Sequence, residues 1–265
     1  MTGEQRQILA MGGGGFTMGE RNPALDRFVL ELTGKAVPKI CFLQTASGDP
    51  REQVRSFYER FDAWPCEPSV LSLFHLTGRL RPAEHLLTQD AIYVGGGSMR
   101  NMLAVWRVHG VDRAMRIAWN RRIVLAGLSA GAMCWFQGGV SRSGGAPEPV
   151  MGLGLLPGSL SVHLDGESNR IPVYRAAVAS GQLPAGYAID DGAALLYAGR
   201  RLRECVASHT GARVLRIRPD DFGGVDEDET PVRLLPGAAD GSDDLEEPYG
   251  VSELRALRAG QHRWD

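Results

Sequence analysis

Ser129 lies in Gly127-Leu128-Ser129-Ala130-Gly131, between an apolar, β-branched run starting at Ile123 and a small-residue segment compatible with a helix. This is the sequence form of a nucleophile elbow. A sharp strand-to-helix turn holds its central residue in a strained conformation and lifts the side chain clear of the backbone. Only small neighbours fit, hence glycine two before and two after the serine. The hydroxyl is expected at the positive end of a helix, with the Ala130 N–H placed to hold an oxyanion. Such a nucleophile needs a base, usually histidine. Of six histidines, His163 ends a short apolar segment downstream and precedes Asp165-Gly166-Glu167, the composition of a tight loop at a site. The plain alternative is a strand-end histidine bonded to its own loop. His75, His85, His109, His209 and His262 lie in turns or polar surroundings and read as surface residues.

The base needs an orienting group. Asp190 and Asp191 close another apolar segment, where two adjacent acids are unusual because an unpaired buried charge is costly. Asp165 competes, although residues i and i+2 of one strand seldom let a carboxylate meet an imidazole unless the chain turns. Asp190 also reads as a turn former. Gly95-Gly96-Gly97 follows an apolar strand without the Gly-Lys-Ser/Thr or Gly-x-Gly-x-x-Gly context of phosphate binding. Glycine N–H groups facing an oxyanion are the better reading there. Gly12 to Gly15 resembles it, at the carboxyl edge of the first strand, where open α/β sheets build sites.

The elements that would position these residues alternate. Strands are expected at 7–11, 39–44, 69–74, 91–94 and 123–128, with helices at 23–32, 51–61, 99–108 and 111–120. The strands show little polar alternation, so both sheet faces should be covered. That predicts an α/β fold, a mostly parallel central sheet with helices on both faces. Further strands are expected at 160–164, carrying His163, and at 187–191, 193–197 and 214–217, with a helix at 171–180. Residues 1–218 then form one α/β catalytic domain. Residues 219–265 are expected to be an acidic, Gly/Pro-rich C-terminal appendage, irregular and partly mobile, with a short helix at 251–259.

Composition narrows the function. In 265 residues, 43% apolar, the net charge is −2, which gives no support for nucleic acid as a partner. No apolar run approaches bilayer length, and the first six residues lack a signal peptide's apolar core. Cys41, Cys66, Cys134 and Cys205 are scattered, a cytoplasmic pattern with neither a disulfide framework nor a metal site. No cofactor and no membrane partner are expected, and the chain is read as a monomer or homodimer.

Together the motifs are specific. Met11-Gly12-Gly13-Gly14, Ile92-Tyr93-Val94-Gly95-Gly96-Gly97, Gly127 to Ala132, Gly152-Leu153-Gly154-Leu155-Leu156 through His163, and Ala188-Ile189-Asp190-Asp191-Gly192 cover roughly residues 7 to 218. In this order the chain resembles the peptidase E (aspartyl dipeptidase) and cyanophycinase family of serine peptidases, with a class I glutamine amidotransferase-like fold. The resemblance implies Ser129 as nucleophile, His163 as base, Asp191 as third member, and an oxyanion hole from Gly96, Gly97 and Ala130. It implies hydrolysis of small peptides, dipeptides with N-terminal aspartate among them. Cyanophycinases tend to carry Gln before the histidine, where this chain has Val162. The elbow holds serine, and Cys134 lies five residues on, which argues against glutamine amidotransfer. Arg170 and Arg175 follow His163 and are candidates to bind an acidic side chain, each equally readable as a solvated helix charge. The rival readings are a same-fold hydrolase of another amide or ester, and a catalytically silent ligand-binding homologue.

Overall fold

The computed structural model describes residues 5–18, 22–76 and 81–239. The first half alternates as β1 (Gln7–Met11), α1 (Ala24–Leu32), β2 (Lys39–Leu43), α2 (Arg51–Phe61), β3 (Glu67–Val70), α3 (Pro82–Leu86) and β4 (Ala91–Val94). It continues through α4 (Met99–His109), α5 (Val111–Asn120), β5 (Val124–Leu128) and α6 (Ala130–Met133). The second half holds β6 (Gly138–Gly144), β7 (Ala146–Met151), β8 (Ser159–Ser161), α7 (Arg170–Ala179), β9 (Gly186–Ile189) and β10 (Ala193–Ala198). It ends with β11 (Arg201–His209), β12 (Val214–Pro219), β13 (Val225–Glu229) and β14 (Val232–Ala239).

Eight strands form the main sheet in the order β14-β11-β10-β1-β5-β4-β2-β3. The run β1-β5-β4-β2-β3 is parallel throughout, while β10 is antiparallel to both β1 and β11. Successive side chains of a strand point to opposite faces, and the burial follows that rule. Ile8, Cys41, Leu43, Ile92 and Leu125 pack on Met102, Trp106, Met115 and Trp119 of α4 and α5. Leu9, Ile40, Phe42, Tyr93 and Ala126 pack on Leu25 and Val29 of α1 and on Phe57 and Phe61 of α2. Helices thus cover both faces. The α4/α5 corner shows why the elements stop where they do. The Ser98 hydroxyl accepts from the Asn101 N–H at 3.2 Å to open α4, and Gly110, at φ 69°, closes it and starts α5.

The structure departs from the sequence expectation in its second half. A separate six-stranded sheet runs β13-β12-β9-β8-β6-β7. Its strands β6 and β7 are rich in glycine, proline and polar residues, so they carry no apolar run to betray them. Leu160, Val162, Ile189 and Val214 join this sheet to the α4/α5 side of the main sheet, and Tyr174, Ala177 and Val178 of α7 cover its other cluster. The helix α3 was likewise not anticipated, and the edge strand β3 starts and ends earlier than expected.

The expected appendage also differs where it is described. The boundary at 218 falls inside β12, and residues up to Ala239 are strands. β13 pairs with β12, and β14 pairs in parallel with β11. The acidic run of β13 is matched by basic partners: Arg218 meets Asp228 at 2.5 Å, and Arg175 of α7 holds Glu227. Composition suggests a solvated tail only while those partners are out of view. The expected helix at 251–259 lies outside the described residues. Among the described residues, no helix is long and apolar enough to cross a membrane.

Candidate active site

Ser129 follows β5 with φ 53° and ψ −115°, a conformation that few non-glycine residues adopt. The flanking glycines explain how the chain tolerates it. A Cβ on Gly127 would stand 2.2 Å from the Gly131 carbonyl oxygen, and one on Gly131 would stand 2.3 Å from that of Val94. The Ser129 N–H donates to Met11 O at 3.0 Å, tying the turn to β1. The helix that follows, at the small-residue segment, is short. α6 has four residues, because the chain turns at once through the buried Trp135 and Phe136 toward β6. So short a helix adds little macrodipole, and what it offers is the Ala130 N–H, which has no acceptor within its own helix.

His163 lies beyond the end of β8 rather than within a strand, at φ 57° and 5% exposed. Its carbonyl accepts from the N–H groups of Gly166 and Glu167 at 3.2 and 2.9 Å, and the Leu164 N–H donates to Ile189 O. The ring stands between two partners. Nε2 is 2.9 Å from Ser129 Oγ, and Nδ1 is 2.5 Å from Asp191 Oδ1. With Nδ1–H donating to the Asp191 carboxylate, Nε2 presents its lone pair to the serine hydroxyl.

The two adjacent acids divide their work. Asp190 is buried and accepts from the backbone N–H and Nε of Arg213 at 2.8 and 3.0 Å. Asp191 turns to His163. Asp165 does not bond the imidazole; its Oδ1 accepts the Asp191 N–H at 3.0 Å. Although Asp165 is exposed overall, partial burial of its carboxyl raises its pKa, and the Asp191 charge beside it raises it further.

Gly96 and Gly97 border the same space. A Cβ on Gly96 would stand 3.2 Å from Ser129 Cβ, and Gly97 has φ 135°, open to glycine alone. Among the described residues neither glycine's N–H meets a protein acceptor. The arginines belong elsewhere. Arg170 is buried and bonds Glu167 through Nε and Nη2 at 3.1 and 2.8 Å, bracing the loop after His163. Arg175 pairs with Glu227 on the edge strand β13, so the structure does not bring it to Ser129. Burial pushes the Cys134 thiol well above its ordinary range, and it makes no rival nucleophile.

Two further contacts meet at the site, one from the glycine loop already noted and one with no local sequence signal. A Cβ on Gly13 would stand 2.1 Å from Asp191 Oδ1 and 2.6 Å from His163 Cε1, so the first glycine loop lies directly against the pair. His209, read as a surface residue, places Nε2 3.2 Å from Asp191 O. The antiparallel register Ala193↔Ala207, continued two residues, brings it there.

The arrangement can activate a hydroxyl, stabilise the resulting imidazolium and receive an oxyanion. Known proteins agree with the fold and with a peptidase. Residues 8–205 match the model of Peptidase family S51. The chain is 44% identical over 234 residues, 87% of its length and 99% of the relative's, to the uncharacterized peptidase YgaJ of Bacillus subtilis (strain 168). A crystal structure of a peptidase from an acI-B1 Actinobacterium superposes with TM-score 0.64 at 16% identity, over 86% of this chain and 95% of that one. A putative peptidase E protein from Listeria monocytogenes EGD-e gives 0.55 at 15% identity, over 75% and 96%. Both share its class I glutamine amidotransferase-like fold.

Proposed function

Because the chain belongs to Peptidase family S51 and is a serine peptidase, we propose that Ser129, His163 and Asp191 form its catalytic triad and that it hydrolyses short peptides, Asp-X dipeptides among them. The observation that carries this reading is the unbroken path from Ser129 Oγ through the His163 ring to Asp191 Oδ1, at 2.9 and 2.5 Å. Ser129 Oγ attacks the scissile carbonyl carbon while His163 Nε2 takes its proton. The oxyanion is received by N–H groups of Ala130 and the Gly96/Gly97 loop. Collapse breaks the C–N bond, and His163 passes its proton to the leaving amine. The acyl-enzyme is then attacked by water. His163 removes the water's proton, and the serine recovers its own as the acid departs. Asp191 holds the ring and balances its positive charge.

The test is a panel of Asp-X and other dipeptides, assayed by amine release, with Ser129→Ala as control. Cleavage by the wild type should fall by about 10⁴-fold or more in the variant. Equal turnover by both proteins would refute Ser129 as the nucleophile. Cleavage confined to non-aspartyl peptides would remove the substrate preference alone.

A further inference from the structure

The geometry points to Gln44 as the positioning residue of the oxyanion hole, an assignment that rests on the nucleophile reading above. Gln44 follows β2 and is 1% exposed. Its amide stands where Gly95 has no side chain: a Cβ there would lie 1.4 Å from Gln44 Oε1. The next residue faces the other way, since a Cβ on Gly96 would stand 3.2 Å from Ser129 Cβ. Successive Cβ directions oppose each other along an extended chain. The loop is therefore sandwiched, with Gln44 on one side and the nucleophile on the other.

That arrangement decides where the loop's N–H groups point. Gln44 Nε2 donates to Gly96 O at 3.4 Å. A trans peptide carries its C=O and N–H on opposite sides, and no peptide here is cis. With the Gly96 carbonyl drawn to the Gln44 side, the Gly97 N–H is turned toward the Ser129 side. The rest of the corner fixes both ends of the loop. The Gly95 N–H donates to Leu43 O at 2.9 Å, and the Ser98 N–H donates to Ala46 O at 2.7 Å. Gly97 lies against the same corner, where any Cβ would come within 2.4 Å of Ala46 O. Gln44 is held in turn by Ser47 Oγ at 2.5 Å and by Gln53 Oε1 of α2. Gln44 Nε2 is fixed among these acceptors, while the buried Oε1 has no hydrogen-bond partner among the described residues, and an oxyanion donor acts only if it is oriented before charge develops.

Gln44 bonds Ser47, Gln53 and Gly96 rather than Ser129 or His163, so its loss should alter oxyanion stabilisation and leave the base alone. The measurement is the second-order rate of Ser129 phosphonylation by a fluorophosphonate, followed by intact-mass spectrometry as a function of pH. The plateau reports the oxyanion donors, and the midpoint reports the His163–Asp191 pair. Gln44→Met keeps the volume and removes the donors; Gln44→Glu keeps the shape and places oxygen against the Gly96 carbonyl. Both should lower the plateau about tenfold or more, with an unmoved midpoint. Thermal melting identifies which variant is folded, and the Glu variant decides if the Met variant is not. A wild-type plateau in a folded variant, or a shifted midpoint, overturns the assignment. Wild-type protein that is not labelled at Ser129 brings down the nucleophile reading instead, and this inference with it.

Discussion

At the scale of single residues, the two acids near His163 differ in what they touch, and that separates their expected behaviour. Asp191→Asn leaves the imidazole facing an amide, disfavouring the required tautomer and removing support for the cation; turnover should fall about 10³–10⁴-fold with little change in melting temperature. Asp165→Asn keeps an oxygen for the Asp191 N–H, so activity should stay near wild type. Its effect on stability has a definite sign. The folded-state pKa of Asp165 is raised, so its ionisation opposes folding above the ordinary carboxylate range and costs nothing below it. Thermal melts of Asp165→Asn should therefore match wild type in acid and exceed it near neutral pH. The opposite ordering of the two variants in a kinetic assay would reverse the assignment of the acids. Ser129 was legible in the sequence because an elbow is local, its glycines lying within two residues. The Gly12 to Gly15 loop was legible as a sheet-edge turn, but not its contact with His163 and Asp191, nor the places of Gln44 and His209, because each depends on strand pairing or a loop contact with distant segments.

At the scale of elements, the elbow and the Gly95–Gly97 loop are packed against each other with no room to spare. A methyl group on Gly131 would meet Val94 O at 2.3 Å and Gly95 O at 2.9 Å. Gly131→Ala should therefore cost about 1–3 kcal/mol in urea unfolding and slow Ser129 phosphonylation by parting the serine from the glycine loop. Unchanged unfolding would mean that the two elements are looser than these distances imply. The parallel strands were readable from their apolar runs, since both faces are covered and nothing polar interrupts them. β6, β7 and β13 were not. They are rich in glycine, proline, serine and acids with no apolar run, and what makes them strands is the neighbour each one pairs with.

At the scale of the whole molecule, the main sheet is completed by its last described strand. β14 pairs with β11, Leu235 is buried, and Arg233 bonds Glu204 at 2.7 Å. Truncation after residue 218 removes β13 and β14 and bares the edges of β11 and β12. The shortened chain should lose cooperative thermal unfolding or aggregate, as calorimetry and light scattering would show. A cooperative melt at the wild-type temperature would mean that these strands only decorate the fold. The middle of the sheet carries a further consequence. β1 sits between β5 and β10, and β10 begins just after Asp191. Ser129 precedes His163 by 34 residues, and His163 precedes Asp191 by 28. During synthesis Ser129 therefore leaves the ribosome before the residues proposed as its base and acid, and β10, which starts two residues after Asp191, is also the strand that pairs with β1. On the proposed triad, peptide-bond cleavage is thereby withheld from a growing chain until the antiparallel half of its main sheet begins to form.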